Sequence, residues 1–205
     1  QDAYTYNTRN EVFSNAQTGN VVLMSQNFMT GKWETGLKYL FPLFAFALGV
    51  LIAEQIQHKY KYAKRLHWRQ GILGAEIIIL FIVGFIPQRG NMIATVLVSF
   101  ACAMQVQSFR KVNGFSYAST MCIGNLRSGT ENLHHYLHTK ERKFLDSSLL
   151  YYGIIICFII GAVIGNAVVR ILHEKAILGC SFLLFVAFLI MFIDREKELR
   201  ENSVS

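Results

Sequence analysis

Two short steps, Thr18-Gly19-Asn20 and Ile123-Gly124-Asn125, carry the first chemical suggestion in this chain. They stand in VFSNAQTGNVVLMSQNFMT (12–30) and FSYASTMCIGNLRSGTENLHHYL (115–137), too polar for ordinary membrane spans and too apolar for free loops. Non-helical backbone at membrane depth survives only where protein or a wet cavity surrounds it, so each stretch is a candidate broken or re-entrant helix. A helix starting near Thr18 or Gly124 would aim unpaired amides and a partial positive charge at whatever precedes it, an anion or carbonyl site. The alternative is that both steps are turns that let two helices pack closely.

Isolated carboxylates and amides come next. Glu76 stands about six residues into an apolar run, roughly 9 Å along a helix axis at about 1.5 Å per residue. An acid at that depth is either a coupling group or a carboxylate paired near the interface, with Arg65 or Arg69 as partner. Glu54 lies nearer its run's polar end and reads as structural, whereas Asp2, just ahead of the first Gly-Asn segment, is the better candidate for cation or proton coupling. Gln105 and Gln107 close another apolar run and could line a polar cavity.

Other chemistry has less behind it. In ENLHHYLH, Glu131 with His135 and His134 with His138 stand at i, i+4, a spacing that could hold a metal, but Lys140, Arg142 and Lys143 beside them suit a wet helix end, and no metal is expected. Cys102, Cys122, Cys157 and Cys180 fall in apolar surroundings without ligand spacing and read as small buried hydrophobes. GxSxG, HExxH, P-loop and paired-carboxylate patterns are absent, so no catalytic residue, enzyme activity or cofactor is expected.

The elements that would position these groups follow from composition. With 205 residues, 53% hydrophobic and only 16% charged, the chain departs from soluble proteins, which run nearer ~25% charged. The formal charge of +7 lies between apolar runs and not on a basic, aromatic-laced stripe, so nucleic acid is not the expected partner. Apolar runs at 38–57, 70–87, 91–109, 148–169 and 176–193 are each long enough to cross a bilayer with modest adjustment. Placing the basic cluster at 57–70 in the cytoplasm puts 14 Lys and Arg inside against 6 outside, with the C-terminal tail inside.

The chain also repeats itself. FALGVLIAE (46–54) matches FIIGAVIGN (158–166), ILGAE (72–76) matches ILGCS (177–181), and SNAQTGNVVL (14–23) matches STMCIGNLRS (119–128), all in one order. A unit with three crossings inverts its second copy, giving two inverted three-helix repeats, 1–90 and 91–205, and about six transmembrane helices in an all-α polytopic protein. The first helix would end near Asp2 to Tyr6, with most of it ahead of Gln1. Gly49, Ala53, Gly161 and Gly165 at four-residue spacing suggest that the helices carrying them cross near the centre.

DAYTY at 2–6, TGN at 18–20, MQ at 104–105 and the paired FxxG motifs resemble the bacterial YoaK-like family, six-span membrane proteins long labelled a domain of unknown function. The family pattern has Asp-Ala, a Phe-rich step into Thr-Gly-Asn, and later Gly-Met-Gln-Asn before a second Thr-Gly segment. Asp2, Ala3, Phe13, Thr18, Gly19 and Asn20 match it, while Ala103, Val106 and Ile123 depart from it in the second copy. The resemblance implies a fold and a membrane location, and no settled substrate.

The reading reached from the residues is a secondary transporter or permease for a small polar solute in the bacterial cytoplasmic (inner) membrane. Its midplane site would lie between the repeats and bring Thr18, Gly19 and Asn20 to Gly124 and Asn125, with Asp2, Gln105 and Gln107 as walls and Asp2 and Glu76 as coupling candidates. A non-transporting ligand- or lipid-binding sensor is the alternative. Membrane lipid is the expected partner, and homo-oligomerisation stays open.

Overall fold

The apolar runs become helices, most of which outlast them at their ends. A computed structural model describes residues 1–60, 67–112, 115–116 and 121–204. Its helices are α1 (Asp2–Thr8), α2 (Gln17–Met29), α3 (Trp33–Tyr60), α4 (Trp68–Val83), α5 (Asn91–Ser108), α6 (Cys122–Thr139), α7 (Arg142–Leu172) and α8 (Ile177–Val204). A two-residue antiparallel pair, Lys111–Val112 with Phe115–Ser116, interrupts an otherwise all-helical fold. The run at 38–57 lies within α3 and that at 148–169 within α7, because polar residues at a span's ends keep the helical hydrogen bonds that the apolar stretch began. The run at 91–109 matches α5 to within a residue, and that at 70–87 is cut short: α4 stops at a Gly84 cap three residues before Pro87, where the helix could not have continued.

Three segments among the described residues are long and apolar enough to cross a membrane: Trp33–Tyr60, Gln88–Ser108 and Arg142–Ile193. The third holds 52 residues, more than twice the roughly 20 one crossing needs, and contains both α7 and the apolar part of α8. Of the basic cluster at 57–70, residues 61–66, Arg65 included, lie outside the described residues, as do 117–120 of the second Gly-Asn stretch and Ser205.

Packing centres on α5, which lies along α3 and against α4, while α8 lies on α4, α2 on α3, α6 on α7 and α1 on α7. Leu80, Val83, Ala94, Val98, Ala101, Cys102 and Ile177 form the main core with Tyr4 of α1. A second cluster joins Ala53, Trp68, Ile72 and Met104.

The expected crossing of α3 with α7 gives way to a different pairing. A Cβ on Gly49 would stand 2.5 Å from the Phe100 carbonyl oxygen and 2.8 Å from Ala103 Cβ, so this glycine exists for α5. Gly165 faces Ala3 of α1, where a Cβ would meet Ala3 Cβ at 3.6 Å, and Gly161 has nothing within 4 Å. Small residues at four-residue spacing permit close approach without naming the helix that approaches.

Candidate functional site

The chain leaves α1 at Thr8, and Asn10 and Glu11 then take left-handed conformations, φ 62° and 59°. Two consecutive such residues turn the backbone sharply, at a cost that is lower for Asn than for Glu. Arg9, just before the turn, bonds Asn91, the first residue of α5, whereas Ser14, just after it, bonds Ser99 in the middle of α5. Eight residues along a helix is roughly 12 Å. The segment therefore runs back along α5, and α2 starts level with the midpoint of α5 before returning to the α3 side. This half-helix of 13 residues is shorter than the roughly 20 a span needs; Ser14 and Asn15 just ahead of it are buried, while Ala16 and Thr18 at its amino end are exposed.

Polar groups hold that start. Asp2 Oδ1 accepts from Ser14 Oγ at 2.9 Å and from the Asn15 amide at 2.8 Å. Ser99 Oγ donates to the Ser14 carbonyl at 2.6 Å, and Gln17 Nε2 donates to that carbonyl and to Ser99 Oγ, both at 3.0 Å. Asn20 clamps Phe13 by accepting from its amide at 3.0 Å and donating to its carbonyl at 2.7 Å, and it also donates to Gln17 Oε1. Ser14, Asn15, Asn20 and Ser99 are buried. Polar groups in an apolar interior cost several kcal/mol unless paired, which explains the closed pattern of bonds.

Glu76 on α4 is fully buried beside this cluster. Its Oε1 accepts from Gln1 Nε2 at 3.2 Å, its Oε2 has no hydrogen-bond partner among the described residues, and Gln1 Oε1 contacts Cys102 Sγ. Arg69, expected as a partner for this carboxylate, instead lies over the Trp68 ring at 5.4 Å.

Next to the cluster opens a groove of about 1020 Å³ bounded by α1, the end of α5, α7 and α8. Gln1, Asp2, Asn15, Gln105 and Asn166 form its polar part, and Phe158, Ile164, Val168, Phe182 and Leu183 are among its apolar walls.

The expected site residues thus fall into separate places. Asp2 and Gln105 line the groove, and Glu76 reaches it through Gln1. Thr18, Gly19 and Asn20 are not among the lining residues; Asn20 faces Phe13, Thr18 is exposed, and the Gly19 amide already bonds the Ala16 carbonyl at 2.9 Å. The Gln17 amide likewise bonds the Asn15 carbonyl, which leaves less of the anion site that free amides would make. Gly124 and Asn125 lie on α6 against α7, with Asn125 Nδ2 donating to the Met121 carbonyl at 2.9 Å, away from the groove lining. The two Gly-Asn steps are therefore on different helices, α2 packed on α3 and α6 packed on α7, and neither lines the groove. Each asparagine serves the backbone just ahead of its own helix, a use that residue type and spacing alone do not distinguish from ligand binding.

Gln107 turns to Glu54, which also pairs with Arg110 at 3.3 Å. On α6, His134 meets His138 edge-on at 4.4 Å between ring centres and His135 packs on Phe144, and no group of three metal-ligating side chains occurs among the described residues. Sequence reasoning missed Arg9, which is fully buried. Its guanidinium donates to Tyr4 Oη, Asn91 Oδ1 and the carbonyls of Val83, Ile86 and Pro87. Nothing in its neighbours' hydropathy separates this arginine from a loop cation.

An all-helical membrane protein with apolar spans is the class these observations define. Residues 1–190 match the family described as "Protein of unknown function (DUF1275)", and the chain belongs to that family. It is similar to the UPF0700 transmembrane protein YoaK of Bacillus subtilis (strain 168), 28% identical over 175 residues, which cover 80% of this chain and 75% of that protein. No solved structure matches the chain.

Proposed function

We propose that this protein is a permease for a small polar solute, non-enzymatic and without a cofactor, whose pathway passes the polar cluster at the start of α2. The observation that carries the reading is the carboxylate of Asp2 holding the half-helix at mid-depth, with the fully buried Glu76 and its unpartnered Oε2 close by. Intramembrane acids that face a cavity and irregular backbone at the same depth recur where solutes and ions cross.

A six-span, inverted-repeat architecture fits the pairing of elements. As α5 lies on α3, so α1 lies on α7; as α2 lies on α3, so α6 lies on α7; and α4 meets α8. Glu54 and Asn166, which correspond in the repeated motif, are bonded by Gln107 of α5 and Asn7 of α1 respectively. The basic-residue count then puts the C-terminus in the cytoplasm, and the Bacillus relative suggests the cytoplasmic membrane. The mostly apolar walls of the groove favour a second reading, a lipid- or ligand-binding protein that does not transport.

The test is flux in proteoliposomes on a solid-supported membrane, against a panel of small zwitterionic, neutral and anionic solutes. At least one solute should give a current. Asp2→Asn and Glu76→Gln should each reduce that current at least ten-fold while eluting as monodisperse protein. A folded protein silent to the whole panel would favour the non-transporting reading.

A further inference from the structure

We infer that the group this site recognises in its solute is a protonated amine. The inference takes the polar end of the groove as the permease's site, and so rests on that reading, and it adds the class of solute. Its first ground is the charge the site presents. The chain carries a formal charge of +7, yet the groove lining holds no lysine, arginine or histidine among the described residues, and its one Asp or Glu is Asp2. Glu76 adds a second carboxyl close behind, since Gln1 both lines the groove and donates to Glu76 Oε1 at 3.2 Å. The ion pairs among the described residues, Arg110 with Glu54 and Lys143 with Glu141, lie elsewhere. Arg9 spends its donors on Tyr4, Asn91 and three carbonyls, none of them a carboxylate.

Neither acid is compensated by what it touches. Asp2 receives the Ser14 hydroxyl and the Asn15 amide on Oδ1, two neutral donors that fix the carboxylate without cancelling its charge. No hydrogen bond among the described residues uses its Oδ2. Glu76 is 0% exposed, and its Oε2 has no hydrogen-bond partner among the described residues. A carboxylate in an apolar interior is costly unless a proton or a cation offsets it, and of the charges a solute could bring only a positive one does so. The surroundings suit an amine over a metal ion. Hard metal ions collect about six or more oxygens, whereas beyond the two carboxyls this groove is walled by apolar side chains such as Phe158 and Phe182. Tyr6 and Phe13, stacked at 4.6 Å between ring centres, also line it, and aromatic faces attract ammonium groups. Gln105 brings an amide oxygen that can accept from an ammonium N–H.

Equilibrium dialysis of the purified protein in detergent with 2-phenylethylammonium tests the inference, beside two molecules of nearly the same shape, neutral 2-phenylethanol and anionic phenylacetate. The ammonium should bind saturably and at least about ten-fold more tightly than either. Asp2→Asn and Glu76→Gln should each weaken it by about ten-fold or more. If loss of an acid prevents folding, Gln105→Lys keeps both: on this half-exposed wall position it should abolish ammonium binding and admit phenylacetate. Equal affinity for the three molecules, or no saturable binding of the ammonium, would overturn the inference. Flux separates it from the permease reading. Current from a neutral or anionic solute without ammonium binding would keep the permease and overturn the amine. Ammonium binding with no current from any solute would keep the amine site and count against transport.

Discussion

Arg9→Leu should destabilise the folded protein by on the order of 3 kcal/mol, a fall of about 6–12 °C in the detergent melting temperature at about 2–4 °C per kcal/mol. The guanidinium uses its whole donor fork on neutral acceptors: Tyr4 Oη and Asn91 Oδ1 at 2.9 Å, and the carbonyls of Ile86 at 2.9 Å, Val83 at 3.2 Å and Pro87 at 3.4 Å. Three of those acceptors lie at or just past the carboxyl end of α4, where the helix dipole favours a cation and carbonyls lack helical donors. Hydrogen bonds to charged groups contribute about 1.5–3 kcal/mol each in water-soluble proteins. In membranes single polar contacts average nearer ~0.6 kcal/mol, so five of them set the scale used here. Leucine fills the volume and strands the carbonyls. Arg9→Lys should recover less than half of the loss, because an ammonium with three donors cannot reach five acceptors spread over three elements. An unchanged melting temperature for Arg9→Leu would mean that the arginine is not held there.

Asn20→Ala should cost about 2–6 kcal/mol, since it leaves both the amide and the carbonyl of Phe13 without their partner at roughly 1–3 kcal/mol per stranded group. Asn20→Asp should do no better, because it keeps the acceptor but turns both donors into a buried charge facing the Phe13 carbonyl and Gln17 Oε1. Denaturation in mixed micelles would read the loss. A variant as stable as the parent would return Asn20 to the ligand-binding role its type and position first suggest.

That reassignment marks where the sequence stops being informative. Apolar runs about as long as a bilayer crossing made α3, α5, α7 and α8 legible, because burial in lipid is a property of each segment alone. A helix start near the first Gly-Asn step was legible too: the expected start near Thr18 lies one residue from Gln17, where α2 begins, three residues before that asparagine. Pairing was not. Gly49 and Gly161 are equivalent in the repeated motif, yet one is pressed on α5 and the other is open. Ser14 and Ser99, 85 residues apart, look like ordinary small polar residues until the reversal at Asn10 and Glu11 brings them together. Arg9 was not legible, because four of its five acceptors come from another part of the chain.

A permease requires that water reach the polar cluster from both faces of the membrane. The most direct measurement places a single thiol, Gln105→Cys, in a chain with Cys102, Cys122, Cys157 and Cys180 replaced. It then follows modification by a charged, impermeant methanethiosulfonate in right-side-out and inside-out vesicles. A permeation pathway past Asp2 requires reaction in both orientations, slowed by whichever solute the protein carries. A thiol inert in both, or reactive from one face only, would contradict it.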